Sequence, residues 1–423
     1  MKLLVIGGDG RAHAIAWRLA TDSSTNSVFC VPGNAGAVED ALCIPGNISK
    51  VGDMSAVADL FKVDCAVVGP SKAIFAGVVD EFRAKGISIV GPTAEAAQLG
   101  SSRVFAKEFM VRHGIPTSRF AVLERLDDIQ EIVGGFGYPV VLKADGPSGP
   151  KDVVIAIDEA TARAGATRML AGEEAREASN RIVVEEYAEG EQLLFTVLSD
   201  GGSYCLFPPV RTQRHARDGS QGPRTAGMGA YCDDSILDSS DYGTILDLIV
   251  EPTLSAMIRQ GTPFTGFLVC ELTMAPTGPK VLEFKVRLGD PETQALLYRL
   301  EAGFAELVVG AAKGSMDLSL VRTATKSSAC VVMASEGYPG SYSTGFVVEG
   351  IRRAEHRNVK VFHAGTKLSG GKPVTTGGRV VGVTARGKHL SSAVEHAYGA
   401  VESIQFKGSH YRLDIGPPGH DRH

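Results

Sequence analysis

The chain opens with Lys2-Leu-Leu-Val-Ile-Gly-Gly-Asp-Gly-Arg11, an apolar run that passes directly into a glycine-rich turn. A short continuous apolar run bounded by glycine predicts a buried β-strand. A helical pattern follows over residues 12–20, and later apolar runs also lead into glycine, at Gly33, Gly69 and Gly91. Strands that alternate with helices predict a doubly wound parallel sheet, which binds ligands beyond the carboxyl ends of its strands. We therefore expect the N-terminal part to be an α/β domain with a ligand site at its glycine loops.

The composition is that of an ordinary folded protein. The 423 residues are 44% hydrophobic and 22% charged, with a formal net charge of −5, and this length predicts about two to four domains. The charge gives no reason to expect a nucleic-acid partner or a membrane surface, and no apolar run reaches the roughly 18 residues needed to cross a bilayer. Seven scattered cysteines without a CxxC pair, and an N-terminus without a signal-peptide layout, predict reduced thiols and a cytoplasmic location.

A second informative stretch is Glu283-Phe-Lys-Val-Arg-Leu-Gly-Asp-Pro-Glu-Thr-Gln294. Residues two apart on a strand point to the same face, so Glu283 and Lys285 are predicted to lie side by side. A carboxylate followed by another oxygen donor would offer two ligands to a metal ion, whereas a protonated lysine cannot bind one. The stretch therefore combines a candidate metal ligand with a residue that opposes metal binding.

The rest of the chain divides into a central and a C-terminal part. Residues 138–146 form a strand pattern that carries Lys143 just before a flexible loop, and residues 182–186 form a strand that ends in two acids. Residues 211–229 have little periodicity, which predicts a long functional loop. Residues 237–260 have a helical pattern, and from about residue 325 the pattern changes to short strands, typical of a separate α+β module.

A series of motifs along almost the whole chain resembles the glycinamide ribonucleotide synthetase (phosphoribosylamine–glycine ligase) family of ATP-grasp enzymes. In chain order these motifs are Pro32-Gly-Asn-Ala-Gly36, Gly91-Pro-Thr93, Lys143-Ala-Asp-Gly146, Gly227-Met-Gly-Ala-Tyr231, Gly266-Phe267, Leu288-Gly-Asp-Pro-Glu-Thr-Gln294 and Phe362-His-Ala-Gly-Thr366. The resemblance implies a doubly wound N-terminal domain, central ATP-grasp domains and a C-terminal α+β module. The predicted boundaries are 1–100 for the N-terminal substrate-binding domain, 101–325 for the ATP-grasp domain (lid about 118–190, larger lobe about 191–325) and 326–423 for the C-terminal domain.

The resemblance also implies a reaction. In this family ATP phosphorylates the carboxylate of glycine, and the amine of 5-phosphoribosylamine attacks the acyl phosphate. The products are an amide, ADP and phosphate, and Mg²⁺ or Mn²⁺ bridges the nucleotide phosphates. The implied partners are therefore ATP and small-molecule substrates, and the implied assembly is a monomer or a homodimer.

Individual residues match the family's functional positions. The catalytic positions are matched by Arg287, placed to stabilise phosphoryl or acyl-phosphate oxygens, by Asp290, placed to orient the amine, and by the loop lysine Lys151. The nucleotide-binding positions correspond to Lys107, Lys143, Glu185, Glu186 and Gln192. The substrate-binding positions correspond to Gly8, Gly10, Arg11, Asn34, Gly69, His215, Gly227 and Gly229. The candidate metal ligands are Glu283 and, on the preceding strand, Glu271.

The sequence departs from the family pattern at several ligand loops. The loop centre is Pro150-Lys151-Asp152 where the family has Gly-Lys-Gly, and loss of glycine and of one N–H is expected to weaken closure over phosphate. The other departures replace acidic or neutral residues by neutral or basic ones, at Ala12, Ser71, Gln192, Arg214, Arg224 and Lys285. Three explanations are open: fixed cations supply charge in place of magnesium, the pocket holds a more anionic ligand, or the site has decayed.

Two questions follow from these departures. Glu271 and Glu283 could form a shifted magnesium site, or Lys285 could form an ion pair with one of them and occupy the metal position; we favour the ion pair, because a lysine relieves the repulsion between two half-buried acids. The chain could be an active ATP-dependent carboxylate–amine ligase, with the family's substrates or altered ones. Alternatively, it could be an impaired relative that binds a nucleotide or a phosphorylated ligand without turnover.

Overall fold

The structure is a computed structural model that describes residues 1–146, 152–171 and 180–417. Within these residues the strands form a five-stranded, a four-stranded and a ten-stranded sheet, together with two short two-stranded ribbons. The predicted loop residue Lys151 lies outside the described residues.

The N-terminal sheet is parallel throughout. Its strands are β1 (Lys2–Gly7), β2 (Ser27–Pro32), β3 (Leu42–Cys43), β4 (Cys65–Val68) and β5 (Ile89–Val90), in the spatial order β3-β2-β1-β4-β5. Its helices are α1 (Gly10–Ala20), α2 (Val51–Phe61), α3 (Ser71–Phe75) and α4 (Val78–Ala84). Leu4 and Leu3, successive residues of β1, are buried in two different cores. Burial of both faces is what a doubly wound sheet requires, so that prediction is confirmed.

A four-stranded antiparallel sheet follows. After α5 (Gln98–Ser101) and α6 (Arg103–Arg112) come β6 (Phe120–Leu123), α7 (Ile129–Gly134), β7 (Val140–Ala144), β8 (Val153–Ala156), α8 (Glu159–Ala171) and β9 (Ile182–Glu186). The strand order is β6-β9-β7-β8. Apolar residues of α7 and α8 pack against one face of this sheet, in a small core of their own.

The largest sheet runs from the central part of the chain into the C-terminal part. Its central strands are β10 (Glu191–Asp200), β11 (Tyr204–Leu206), β12 (Val210–Arg217), β13 (Gln221–Cys232), β14 (Thr265–Ala275) and β15 (Gly278–Lys285). Its C-terminal strands are β18 (Ser327–Ser335), β19 (Val359–His363), β22 (Arg379–Gly387) and β23 (Ser409–His410). The two separate ribbons are β16 (Leu300–Ala302) with β17 (Arg322–Thr323), and β20 (Thr366–Ser369) with β21 (Lys372–Thr375). The order along the sheet is β15-β14-β10-β12-β13-β18-β22-β19, with β11 beside β10 and β23 beside β18. The strands of the C-terminal module therefore continue the central sheet, through the pairing of β13 with β18.

The prediction of a long loop over residues 211–229 is wrong. These residues form most of β12 and β13, which pair as an antiparallel hairpin. The register shifts between Gln213 and His215 and again between His215 and Arg217. Such irregularities break the alternation of apolar and polar residues that identifies a strand in sequence, which explains why the periodicity was weak.

The remaining helices lie in the central and C-terminal parts of the chain, and two of them are joined by a π-helical turn. Residues 237–260, predicted as one helix, form α9 (Ser239–Ile245) and α10 (Glu251–Arg259) with a π-helical turn, Leu246–Val250, between them. The others are α11 (Glu292–Tyr298), α12 (Phe304–Lys313), α13 (Ile351–Ala354) and α14 (Leu390–Val401), with 3₁₀ turns at Ala37–Glu39, Leu126–Asp128, Asp234–Ile236 and Leu318–Leu320. In the part of the chain that the structure describes, no helix has the length and apolar character to span a membrane.

A buried ion pair ties the N-terminal domain to the central lobe. Arg18 donates to Asp22 over 2.6 Å and to the carbonyl oxygen of Leu300 over 3.0 Å. The second oxygen of Asp22 accepts the backbone N–H of Ala305, at 2.8 Å. Because both charged side chains are buried, removing one partner leaves the other without compensation inside the protein.

We expect Asp22→Ala to destabilise the protein by about 3–5 kcal/mol, the usual cost of breaking a buried pair. The midpoint of thermal unfolding should fall by several degrees, whereas Asp59→Ala, which removes an exposed carboxylate on α2, should leave it nearly unchanged. Adding Arg18→Met to Asp22→Ala should recover part of the loss, because no unpaired charge then remains. Equal midpoints for Asp22→Ala and the wild type would show that this contact does not hold the two parts together.

Candidate active site

A cavity of about 220 Å³ lies between the four-stranded sheet, the edge of the large sheet and the loop after β15. Its basic lining residues are Arg11, Arg103, Lys143, Arg214, Arg224, Lys285, Arg287 and Arg379. Its acidic lining residues are Glu185, Glu186, Glu271, Glu283, Asp290 and Glu292. The lining thus carries more positive than negative charge although the whole chain carries −5, and this local excess favours an anionic ligand.

On the side of the four-stranded sheet, two lysines share one carboxylate. Lys143 of β7 and Lys107 of α6 both form ion pairs with Glu185 of β9, and all three side chains are buried. Lys143 also donates to the carbonyl oxygen of Leu282, at 3.0 Å. Burial alone would raise the pKa of Glu185, but the positive charges of Lys143 and Lys107 outweigh it and keep that pKa below its ordinary value. The structure thus brings together three predicted nucleotide-binding residues in one buried cluster of ion pairs.

The other two predicted nucleotide-binding residues lie at the rim. Glu186 follows Glu185 along β9 and is within 3.3 Å of the exposed Arg119. Gln192 is exposed near the start of β10, opposite Thr273 of β14. Both line the cavity, together with Tyr187, which sequence reasoning missed.

At the edge of the large sheet, Glu271 and Glu283 face each other across β14 and β15. Arg214 donates to both oxygens of Glu271, at 2.6 and 3.0 Å, and the Lys285 ammonium lies 2.5 Å from one of them. Burial would raise the pKa of Glu271, but Arg214 and Lys285 hold it well below its ordinary value. The ion pair predicted for Lys285 is therefore present, and Arg214 joins it as a second cation.

These residues do not fit a divalent cation. Both oxygens of Glu271 already accept hydrogen bonds from cations, and Lys285 stands beside Glu283 where a second oxygen donor would be needed. The positive charges of Arg103 and Lys285 also outweigh burial at Glu283 and lower its pKa. Among the described residues, no group of three or more His, Cys, Asp or Glu side chains could hold a metal ion. Glu271 and Glu283 as metal ligands thus remain a prediction that the local chemistry opposes.

Arg287 makes contacts of a different kind. Its guanidinium donates to the hydroxyl of Ser71 at 3.0 Å and to the carbonyl oxygen of Leu288 at 2.9 Å, and both acceptors are neutral. Arg11 donates to the same Leu288 oxygen, at 2.7 Å. Burial, followed by the repulsion of Arg11, lowers the pKa of Arg287 to about 10. Arg11 is also paired with Asp9, so Arg287 is the less compensated of the two cations. An incoming anion would stabilise it, and its role at phosphoryl oxygens remains a prediction.

Asp290 is held by three parts of the chain. It accepts the backbone N–H of Arg11 at 3.2 Å and the amide of Gln294 at 3.0 Å, and it lies 3.4 Å from Arg379. Burial would raise the pKa of Asp290, but Arg379 and Arg11 lower it below its ordinary value. These contacts are those of a positioning residue, and its role toward a substrate amine remains a prediction.

The predicted substrate-binding loops divide into two groups. Gly8, Asn34 and Gly69 lie in the N-terminal loops, and Gly10 begins α1; none of these four is among the lining residues, whereas Arg11 is. A Cβ on Gly10 would meet the Gln294 amide at 2.4 Å. Gly227, at the C-terminal side, has a φ of +143° and packs against Pro291.

His215 and Gly229 are not brought to the cavity. His215 lies in the irregular part of β12, and its carbonyl oxygen accepts from Arg412 of the C-terminal module at 3.0 Å. A Cβ on Gly229 would meet Ile415 at 2.5 Å, which shows that this glycine serves core packing. Their role in substrate binding remains a prediction.

Arg103 and Arg379 line the cavity but were not identified from sequence. Arg103 begins α6 and donates to the carbonyl oxygen of Ala144, whereas Arg379 begins β22 and donates to the carbonyl oxygens of Gly227 and Asp290. The sequence feature that could have identified Arg379 is its position directly after the glycine pair Gly377-Gly378 in the C-terminal module.

Comparison with known proteins covers nearly the whole chain. Family models for phosphoribosylglycinamide synthetase match residues 1–100 (N domain), 101–293 (ATP-grasp A domain) and 328–418 (C domain). The phosphoribosylamine–glycine ligases of Xylella fastidiosa strain Temecula1 and Pseudomonas aeruginosa are 43% and 40% identical, each over 98% of this chain and 97% of the relative.

Solved structures give the same result. The crystal structure of phosphoribosylamine–glycine ligase from Thermotoga maritima superposes with a TM-score of 0.86 at 30% identity, covering 98% of this chain and 100% of that one. The biotin carboxylase domain of Hydrogenobacter thermophilus 2-oxoglutarate carboxylase, solved with MgADP, has a TM-score of 0.74 at 16% identity over 97% and 91% of the two chains, which shows a shared fold. The full-length match at 40% identity or more confirms the resemblance found in the motifs. The chain belongs to the phosphoribosylamine–glycine ligase family of ATP-grasp carboxylate–amine ligases.

Proposed function

We propose that this chain is an ATP-dependent ligase that joins a carboxylate to an amine, with glycine and 5-phosphoribosylamine as the substrates that its relatives' name suggests. The observation that carries the proposal is the cavity itself. It places the buried cation Lys143, from the four-stranded sheet, in one space with Arg287 and Arg11. A nucleotide phosphate held at Lys143 would thus have its reacting end near two further cations.

The chemistry follows from this arrangement. The terminal phosphoryl group of ATP passes to a carboxylate oxygen, and the amine then attacks the acyl carbon while the bond to the phosphate breaks. Phosphoryl transfer depends on positioning and charge stabilisation, which Lys143 and Arg287 can supply to oxygens on either side of the transferred group. Asp290 supports the reaction indirectly, since it fixes the backbone of Arg11. We assign no step to a metal ion, because the residues around Glu271 do not fit one.

A second candidate function is binding of a nucleotide or phosphorylated ligand without turnover. The observation that favours it is the hydrogen bonding of both Glu271 oxygens to protein cations, at a position where an ATP-using enzyme would hold its metal. A cytoplasmic location, supported by seven cysteines that form no disulfide, and a monomeric or homodimeric state are further parts of the proposal.

We expect ADP release when the full chain is incubated with ATP, glycine and 5-phosphoribosylamine, and less release when either substrate is omitted. The assay should be run in Mg²⁺ and, separately, in EDTA, so that a metal requirement does not hide activity. ADP release without dependence on the amine or the carboxylate would point to another substrate pair. Nucleotide binding without any ADP release would favour the second candidate.

We expect Lys143→Met to lower kcat/KM for ATP by about a hundredfold or more, because it removes a buried, charge-assisted contact to phosphate. The control is Lys367→Met on β20, which removes an exposed lysine outside the cavity and should leave kcat/KM unchanged. Thermal unfolding should be followed for both variants, since Glu185 loses one of its two lysines in the first. Unchanged kcat/KM for Lys143→Met would show that the nucleotide does not bind at this lysine.

A further inference from the structure

We propose that Arg214 and Lys285 act as built-in replacements for a divalent cation, so that the cavity binds nucleotide without metal. This inference rests on the nucleotide site of the proposed function and concerns how that site neutralises phosphate charge. It does not require turnover, because a site of this kind binds ADP or ATP whether or not a ligase reaction follows.

The geometry places both cations on Glu271, one of the two candidate metal ligands. Glu271 and Glu283 are cross-strand neighbours on β14 and β15, and both line the cavity. Lys285 follows Glu283 by two residues and its ammonium reaches the opposite carboxylate, Glu271, at 2.5 Å. Arg214 arrives from β12 and donates to both oxygens of the same carboxylate. Glu271, which faces Glu283 across the two strands, is thus held by an ammonium and a guanidinium.

Both cations are held in position by strands rather than by loops. Lys285 is the last residue of β15, and Arg214 lies in β12, where the hydroxyl of Thr225 donates to its carbonyl oxygen at 2.7 Å. Arg214 also lies 4.0 Å from Glu292, the first residue of α11. Contacts to two carboxylates and a backbone anchor restrict the guanidinium to one place, so it can present positive charge to a ligand with little loss of side-chain freedom.

The charge around the two acids leaves little attraction for a further cation. Arg103, Lys143 and Arg224 line the same cavity as Glu271 and Glu283. A divalent ion entering this group would meet several protein cations at short range and would have to displace hydrogen bonds at Glu271. A polyphosphate, in contrast, would meet cations that are already in place. The free nucleotide carries more negative charge than its magnesium complex, so removal of metal should not weaken binding.

The first experiment is a calorimetric titration of the full chain with ADP, in buffer containing EDTA and in buffer containing Mg²⁺. We expect the two Kd values to agree within about threefold, because the cations that neutralise the phosphates belong to the protein. Binding that weakens about tenfold or more in EDTA would overturn the inference. Absence of ADP binding in both buffers would overturn this inference and the proposed function together.

The second experiment removes the two cations and restores an oxygen donor, in the double variant Arg214→Gln with Lys285→Asn. In EDTA this variant should bind ADP about tenfold or more weakly than the wild type, and Mg²⁺ should recover most of the loss. Titration with Mn²⁺ followed by electron paramagnetic resonance should show binding to the variant and none to the wild type. Lys313→Asn, which changes an exposed lysine on α12, is the matched control and should behave as the wild type does.

The outcomes separate this inference from the proposed function. Metal-independent ADP binding by a wild-type protein that produces no amide supports the inference and counts against ligase activity. Mn²⁺ binding by the wild type overturns the inference and leaves the ligase proposal standing. The same holds if both amide formation and ADP binding require Mg²⁺. The wild-type titrations decide the question even if the double variant does not fold.

Discussion

The carboxylate of Asp290 lies at a junction of three parts of the chain, and the shape of the cavity depends on its contacts. It receives the first-turn N–H of Arg11 from the N-terminal domain, the amide of Gln294 from the start of α11, and the charge of Arg379 from the C-terminal module. A buried carboxylate must be paired in this way, because an uncompensated charge inside a protein is costly. Each of the three parts therefore has an energetic reason to keep its position relative to the other two.

The same junction explains why glycine is needed close by. Gly10 passes so near Gln294 and Asp290 that a side chain would collide with them, and Gly227 turns under Pro291 with a positive φ. Close approach of backbone to backbone lets Arg379 donate to the carbonyl oxygens of Gly227 and Asp290 at once. The close packing at Gly10 and Gly227 thus helps to place the charged side chains around the cavity.

Sequence reasoning succeeded where a local pattern carried the information. The run Lys2–Gly7 and its glycine turn predicted a parallel strand in a doubly wound sheet, and the position of Lys285 two residues after Glu283 predicted an ion pair at the sheet edge. It failed where the deciding contacts join distant segments. The second cation that pairs with Glu271 is Arg214, which lies on a hairpin whose irregular register hides its strand pattern. Arg379 enters the cavity because β18 and β22 extend the central sheet. No local periodicity reports either contact.

The cations of the cavity fall into two classes, and the difference bears on how the site works. Lys143, Arg214 and Lys285 are paired with buried carboxylates, which fix their positions and lower the cost of keeping them charged without a ligand. Arg287 donates to neutral oxygens and stands beside Arg11, so its charge is less compensated and its pKa is depressed. A cation that is paired with a carboxylate attracts phosphate less strongly than a cation without such a partner. Arg287 therefore offers an incoming anion a charge that is less compensated than those of Lys143, Arg214 and Lys285. In the proposed function, the paired cations at the strands would lie along the rest of the nucleotide.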